Sequence, residues 1–201
     1  STLDSRLTIN DNGKKKQMQM DSGCCGMSML SSPAYFCYGL ADGNKINIHT
    51  AEKGTARKAK SYGIAAGSVP TLTDIKTREA GPRKAIRTGL AVCDNAIHDL
   101  VNENRFDINL DGTPTPHRVD KKNRCIWMYE GTKEQFIVPL EYNRDALYVD
   151  YRPLQPNEQQ EFVRANPLEP WEWSLDRPSM SREAIEVRDV NNEVLDYVDE
   201  D

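Results

Sequence analysis

Residues 82–101, PRKAIRTGLAVCDNAIHDLV, decide the fold that the sequence predicts. Pro82 suits the first position of a helix, where its missing N–H group costs nothing. Apolar residues then recur at near-helical spacing, at Ile86, Leu90, Cys93, Ile97, Leu100 and Val101. This pattern predicts the main helix of the core, ending near Asn104, although Gly89 lowers the helix propensity by about 1 kcal/mol.

Strand-like runs flank this segment on both sides. The runs that follow it are RCIWMY (124–129), QFIVPLEY (135–142) and ALYVDYRPL (146–154). Short turn-forming connections separate them, which predicts an antiparallel meander, joined by a short strand near Arg118 and Val119. Upstream, residues 34–50 place the turn signal Asp42-Gly43-Asn44 between two strand-like runs and predict a hairpin.

The two ends of the chain have the composition of arms. Residues 1–33 show no sustained period and are rich in Ser, Gly, Asn, Lys and Met, which predicts an irregular N-terminal arm. Residues 155–201 are acidic and punctuated by prolines, which predicts a C-terminal arm. The sequence therefore predicts an α+β core domain over residues 34–154, with one main helix packed on the meander, the N-terminal hairpin and long irregular arms at both ends.

Composition indicates that the chain completes its fold against partners. Only 38% of the 201 residues are hydrophobic, and the mean hydropathy is -0.70. A small core of this kind leaves arms that become ordered when they meet another molecule. No apolar run approaches the roughly 20 residues that cross a bilayer, and no signal-peptide core is visible near the first residues. We therefore expect cytoplasmic synthesis followed by incorporation into a particle, with no membrane partner and no secretion by a signal peptide.

Charge is distributed unevenly along the chain. Residues 51–90 carry a net charge of +6, from nine basic and three acidic residues, whereas residues 155–201 carry −9, from thirteen acidic and four basic residues. Such a dipolar chain can dock onto copies of itself, onto other structural subunits, or through its basic part onto nucleic acid. The candidate partner-binding residues in the basic part are Lys53, Arg57, Lys58, Lys60, Arg83, Lys84 and Arg87.

Two further pairs of residues are candidates for contacts between subunits. Trp171 and Trp173 stand among prolines in the acidic arm and need a groove to enter, which we expect on a neighbouring subunit. The five cysteines are an odd number, which excludes a complete disulfide framework within one chain. Adjacent Cys24 and Cys25 are therefore possible inter-subunit thiols.

The sharpest chemical motif is Asp107-Ile108-Asn109-Leu110-Asp111-Gly112, which matches the first half of an EF-hand calcium loop. The twelfth loop position, where a bidentate glutamate is expected, holds Arg118, and two prolines oppose the exiting helix. An Asx-rich turn explains the same residues better. Cys93 falls on the apolar face of the predicted helix and is read as a small buried side chain rather than a nucleophile. The sequence therefore assigns no catalytic, cofactor-binding or metal-ligating residue.

Together these observations predict a non-catalytic structural subunit of a multi-subunit assembly. The specific expectation is a virus or bacteriophage virion component, such as a capsid decoration, neck or tail protein that docks through its arms; this step is an analogy. The alternative is a nucleic-acid-binding accessory protein that uses the basic region 53–87. A small enzyme with an unrecognised site is the second alternative.

Overall fold

The computed structural model describes residues 17–21, 28–30, 35–42, 47–49, 56–58, 61–92, 99–166, 174–175 and 198–199. In chain order, the strands of these ranges are β1 (Gln17–Asp21), β2 (Ser28–Leu30), β3 (Phe36–Asp42), β4 (Asn47–His49), β5 (Ala56–Lys58), β6 (Ser61–Asp74), β7 (Glu79–Val92), β8 (Leu100–Asn102), β9 (His117–Asp120), β10 (Cys125–Met128), β11 (Phe136–Pro139), β12 (Glu141–Asn143), β13 (Ala146–Asp150), β14 (Arg152–Pro153), β15 (Ser174–Leu175) and β16 (Val198–Asp199). Within the same ranges there are one α-helix, α1 (Pro156–Ala165), and one 3-10 turn (Glu103–Arg105).

Thirteen of the strands form one large sheet. Its main order is β12-β13-β1-β8-β2-β7-β6-β11-β10-β9, while β3 and β14 pair with β6, and β15 pairs with β3. The pairs β1–β8 and β2–β7 are parallel, and the other pairs of this sheet are antiparallel. Strands β16, β4 and β5 form a second, three-stranded antiparallel sheet. The predicted α+β fold is therefore wrong, because the described chain is built mostly from strands.

A long hairpin, β6–β7, occupies the segment from which the main helix was predicted. Its two strands of 14 residues pair from Ser61↔Val92 to Asp74↔Glu79. Ile86, Thr88, Leu90 and Val92 recur at the period of a strand and are buried on one face of β7, while Gly89 and Ala91 on the opposite face are buried as well, so both faces are covered beyond Arg87. Ile86 and Leu90 stand four residues apart, so they satisfy the helical and the extended period at once. The helix prediction failed because it relied on such positions and gave too little weight to the alternation.

The two prolines of this hairpin lie where regular backbone pairing is interrupted and no N–H group is needed as a donor. Regular pairing is interrupted between Val69↔Lys84 and Thr71↔Gly81, and both Pro70 and Pro82 fall within that interruption. Proline cannot donate to a ladder and is tolerated in strands at bulges. Pro82 therefore marks a break in register, and reading it as the first residue of a helix was wrong.

The N-terminal segment contributes inner strands of the large sheet. Residues 17–20 read QMQM, and Met18 and Met20 are 0% and 7% exposed, so polar and apolar side chains alternate across β1. Strands β1 and β2 lie between β13 and β7 in the strand order. The prediction of an irregular arm is wrong for residues 17–21 and 28–30, because four residues of alternating pattern were too short to register as a period.

The predicted N-terminal hairpin does not form. Strand β3 pairs with β6 and β15, whereas β4 pairs with β5 and β16, so the strands on either side of the turn signal belong to different sheets. The same pairs correct the prediction of an irregular C-terminal arm, since β15 and β16 add to N-terminal strands. Long-range pairing decided both outcomes, and a local turn signal carries no information about it.

Only part of the predicted meander exists. Strands β9, β10 and β11 are consecutive and antiparallel, and β11 continues onto β6. The third predicted run forms β13, which pairs with β12 and with β1 instead of β11. The chain therefore leaves the meander after β11 and crosses to the opposite end of the sheet.

The large sheet folds over on itself around one core. Met18 and Val149 come from one end of the strand order, and Ile126 and Val138 come from the other end, yet all four belong to the same buried cluster. This cluster can form only if the two ends of the sheet face each other. In the described part of the chain, no helix is long and apolar enough to span a membrane.

Candidate partner-binding surface

The structure describes side chains for three of the candidate partner-binding residues. Arg83, Lys84 and Arg87 lie on β7. Arg57 and Lys58 lie on β5, where only the backbone is described. The remaining candidates lie outside the described residues: Lys53, Lys60, Trp171, Trp173, Cys24 and Cys25.

Arg83 is used by the fold. Its Nη2 donates to the carbonyl oxygens of Ser68 at 2.7 Å and of Asp150 at 3.0 Å, and its Nε donates to Ser68 Oγ at 3.0 Å. Its Nη1 lies 3.3 Å from Asp150 Oδ2 in an ion pair. Burial lowers the pKa of Arg83 from its ordinary value, while the Asp150 carboxylate opposes that change. The guanidinium therefore joins β6, β7 and β13 and is not free to receive a phosphate.

Arg87 and Lys84 also make contacts within the chain. Arg87 Nη2 donates to Asn166 Oδ1 at 2.9 Å, and its guanidinium lies 5.6 Å from the centre of the Phe162 ring on α1. Lys84 Nζ lies 4.8 Å from the centre of the Phe136 ring. Three of the predicted basic residues are thus held against the strands and the helix that surround them.

A cleft of about 490 Å³ lies between β7 and α1. Arg83 and Arg87 line one wall, and Glu158 and Glu161 of the helix line the other. Carboxylates repel phosphate oxygens, so this wall of mixed charge does not suit a nucleic-acid backbone. The basic residues of β7 therefore face a cleft of mixed charge, and their role in partner binding stays a prediction.

Asp107, the first residue of the EF-hand-like motif, is buried at the base of this cleft. Its Oδ1 accepts the backbone N–H of Arg87 at 2.9 Å, and its Oδ2 accepts the Thr115 hydroxyl at 2.7 Å and the Tyr129 hydroxyl at 3.4 Å. Burial raises the pKa of Asp107, and these hydrogen bonds oppose the rise. The carboxylate therefore bonds β7 to the segment after the motif and is turned away from the loop.

The rest of the motif forms a tight turn. Asp111 Oδ1 accepts the backbone N–H of Thr113 at 2.9 Å, and Asn109 Nδ2 donates to Thr113 Oγ1 at 3.0 Å. Gly112 adopts φ 84°, which favours glycine. The carboxylate oxygens of Asp107 and Asp111 accept hydrogen bonds from protein N–H and hydroxyl groups, as in an Asx-rich turn. Over the described ranges, no group of three or more His, Cys, Asp or Glu side chains is placed to hold a metal ion.

A second basic surface is formed by two turns that the sequence separates widely. The first turn, residues 75–78, joins β6 to β7, and the second, residues 121–124, joins β9 to β10. We call the basic side chains of these turns the basic tip; they are Lys76, Arg78, Lys121, Lys122 and Arg124.

Arg78 holds the two turns together. Its Nη1 donates to the carbonyl oxygen of Asn123 at 2.8 Å, and its Nη2 lies 3.2 Å and 3.3 Å from the carbonyl oxygens of Arg124 and Leu140. The backbone N–H of Leu140 donates in turn to the carbonyl oxygen of Arg124 at 2.8 Å. One planar guanidinium therefore binds three carbonyl groups across the join, which fixes the second turn against the first.

Each turn is also fixed internally by an aspartate. Asp74 Oδ1 accepts the backbone N–H groups of Lys76 and Thr77 at 2.7 and 3.0 Å, and these bonds lower the pKa of Asp74. Hydrogen bonds from the side chain and backbone of Asn123, together with the Trp127 indole, hold the pKa of Asp120 at about 2. Both carboxylates are therefore ionised at neutral pH and directed at their own turns.

The remaining cations of the tip project into solvent. Lys76, Lys121, Lys122 and Arg124 are exposed, and none of them forms a salt bridge with another part of the chain that the structure describes. A polypeptide partner would meet these four charges on a backbone that is already ordered. Ordering the backbone in advance reduces the entropy that binding costs.

Arg124 adds a second observation at the same place. Both turns end on an arginine in the left-handed region, with φ 57° at Arg78 and φ 51° at Arg124. This region favours glycine and costs another residue about 1–2 kcal/mol. The three carbonyl contacts of Arg78 offset its cost, whereas no hydrogen bond of the Arg124 side chain is seen within the described ranges. The backbone carbonyl oxygen of Arg124 accepts hydrogen bonds from Leu140 N–H and Arg78 Nη2, so the turn itself accounts for the positive φ, and the Arg124 side chain remains exposed.

The second turn was not among the candidate surfaces predicted from the sequence. The letters KKNR at 121–124 are a visible basic run in a turn, and that signal could have been used. Nothing in the sequence indicated that Arg78, 43 residues upstream of Lys121, lies beside it, because the contact depends on how β6 and β11 pair. No protein-family model, no curated protein and no solved structure matches this chain.

Proposed function

We propose that this protein is a non-catalytic structural subunit of a multi-subunit assembly that binds its neighbours through charged surfaces. The observation that carries the proposal is the basic tip, an ordered platform of exposed cations without partners in the described part of the chain. A virus or bacteriophage particle is the kind of assembly that we propose, by analogy with small polar subunits that dock onto larger particles.

The use of charged groups elsewhere supports this choice over an enzyme. In the cleft, Asp107 accepts three hydrogen bonds, Arg83 is paired with Asp150, and Arg87 is bonded to Asn166. A general base or nucleophile needs a group that remains able to reach a substrate. The groups of the cleft stabilise contacts between strands, whereas the groups of the tip are available to a partner.

The open edges of the large sheet support the same proposal. Strands β12 and β9 end the strand order, and each pairs on one side only among the described strands. All three residues of β12 are exposed, and Tyr142 at its centre is 49% exposed. A subunit that is buried among neighbours covers such edges, which otherwise invite uncontrolled pairing.

The test is the association state of the full chain. Sedimentation velocity over a wide range of protein concentration should show reversible association, and raising the salt from about 50 mM to about 500 mM should weaken it, because salt screens contacts between exposed charges. A chain that remains a monomer at every concentration and at both salt levels would contradict self-assembly and the proposed function with it.

Nucleic acid is the competing partner for the same surface. The same samples should therefore be titrated with single- and double-stranded DNA at low salt, where binding to phosphates is strongest. We expect at most weak DNA binding, because the chain carries a net charge of -5. Tight, salt-sensitive DNA binding by a chain that does not self-associate would favour the nucleic-acid-binding alternative.

A further inference from the structure

We infer that the basic tip of one copy binds the acidic C-terminal segment, residues 189–201, of a second copy. This inference rests on the proposed function and names the partner that the tip recognises. Two features of the chain carry it: the charge of the segment and the way the end of the chain is used in the fold.

The charge of the segment matches that of the tip. Residues 189–201 contain no basic residue, and their acidic residues are Asp189, Glu193, Asp196, Asp199, Glu200 and Asp201. Lys76, Lys121, Lys122 and Arg124 offer four exposed charges of the opposite sign within two adjoining turns. Complementary charges of this kind steer association and fix the register of a contact.

The end of the chain is already used for pairing with a folded surface. Strand β16 (Val198–Asp199) adds to β4 through its backbone, and β15 adds to β3 in the same way. Strand addition is made by N–H and C=O groups and does not itself require the side-chain charges of the added strand. We place the opposite charges on the basic tip of a second copy, and every copy brings both surfaces in equal number.

Such a contact joins two different surfaces of the chain. Two copies can close it reciprocally as a two-fold dimer, each tail on the other copy's tip, or repeat it from copy to copy in a ring or an open chain. In either case the average mass of the wild-type protein should rise with concentration and fall as salt is added. Association that does not weaken as salt is added would contradict the inference.

The decisive experiment uses charge reversal in the full chain. Lys121→Glu with Lys122→Glu should weaken self-association at low salt by at least about tenfold, since two of the four exposed cations of the tip are reversed. Lys121→Glu alone and Lys133→Glu form a matched pair of single reversals; Lys133 is exposed on the loop between β10 and β11, and we expect its reversal to change the association constant by less than about twofold and less than that of Lys121. Melting temperatures should establish that all variants remain folded.

A charge swap distinguishes a specific contact from a general loss of charge balance. Glu200→Lys with Asp201→Lys, made in a chain with an unchanged tip, should weaken association as the reversed tip does. Mixing the two variants should restore association between unlike chains, because the unchanged tail of one variant meets the unchanged tip of the other, and the substituted tip meets a substituted tail of opposite charge. Combining all four substitutions in one chain should restore association to within about threefold of the wild type.

The outcomes separate the two proposals. If the wild type associates but the reversed tip associates equally well, the inference is wrong and the proposed function stands. If the wild type is a monomer under all conditions, the proposed function fails. If the combined variant is not restored although each double variant is weakened, the partner of the tip is not the C-terminal segment. If the reversed tip loses DNA binding and keeps its self-association, nucleic acid is the ligand of the tip.

Discussion

The cleft between β7 and α1 and the basic tip are equally rich in charge, yet the molecule uses the charges differently. In the cleft, Asp107, Arg83 and Arg87 are directed at partners within the chain. At the tip, Arg78 alone is used in that way, and it holds in place a platform of cations that have no salt bridge in the described residues. Counting basic residues therefore does not show which of them remain able to bind a partner; the hydrogen bonds and ion pairs that they already make within the chain do.

The largest expected effect is in the cleft. Asp107→Ala leaves the Arg87 N–H group without an acceptor and removes the shorter of the two hydrogen bonds of the Thr115 hydroxyl, and it should lower the free energy of unfolding by about 2–4 kcal/mol, since a buried unsatisfied group costs about 1–3 kcal/mol and each lost hydrogen bond adds to it. Urea denaturation measures this change. Asp111→Ala is the control in the same motif, and its effect should be much smaller because Asp111 is exposed. Equal losses would show that Asp107 is not the structural member of the motif.

Arg78 should be the residue on which the tip depends. Arg78→Ala removes the hydrogen bonds to three carbonyl groups, and we expect a loss of about 1–2 kcal/mol in the free energy of unfolding together with faster amide exchange at residues 121–124. Lys76→Ala, in the same turn, removes a charge without removing any bond to the second turn and should leave exchange there unchanged. Unaltered exchange in the Arg78 variant would mean that the second turn is ordered without it.

Acid should act on the two regions with opposite sign. The pKa of Asp120 is about 2 in the folded chain against an ordinary 3.8, so its contribution to stability is complete above the ordinary value and is lost as the pH falls towards the folded value. The pKa of Asp107 is raised, so its contribution is present below 3.8 and is lost as the pH rises through the folded pKa. Unfolding curves of Asp120→Asn and Asp107→Asn should therefore diverge from the wild type in opposite directions as the pH is lowered from neutral to about 2. Divergence in one direction for both variants would show that the pKa values of Asp120 and Asp107 are not shifted in opposite directions.

The smallest expected effect is a gain in stability at the tip. Arg124→Gly relieves the positive φ of 51° and should raise the free energy of unfolding by about 0.5–1 kcal/mol, while weakening association because a tip charge is lost. Lys122→Gly removes a charge from a residue without positive φ and should weaken association with no gain in stability. A loss of stability in the Arg124 variant would show that this arginine supports the fold.

Much of what a sequence can indicate locally was present in this chain. The run at 117–129 predicts short antiparallel strands, and β9 and β10 form there because the pattern and the turn are adjacent. The two overlooked signals were of the same local kind, namely QMQM at 17–20 and the alternation of Ile86, Thr88, Leu90 and Val92. They were missed because the first is short and the second also fits a helix at two positions.

The sequence by itself determined the composition, the uneven charge and the alternation that defines strand faces, because each is a property of residues close together in the chain. Only the tertiary structure decided which strands pair, that β1 and β2 lie inside the sheet, and that Arg78 reaches the turn at 121–124. These facts depend on contacts between distant residues, whose geometry follows from the whole core. For the same physical reason, Arg83 and Arg87 of β7 are hydrogen-bonded within the chain, whereas four of the five basic side chains of the tip are exposed.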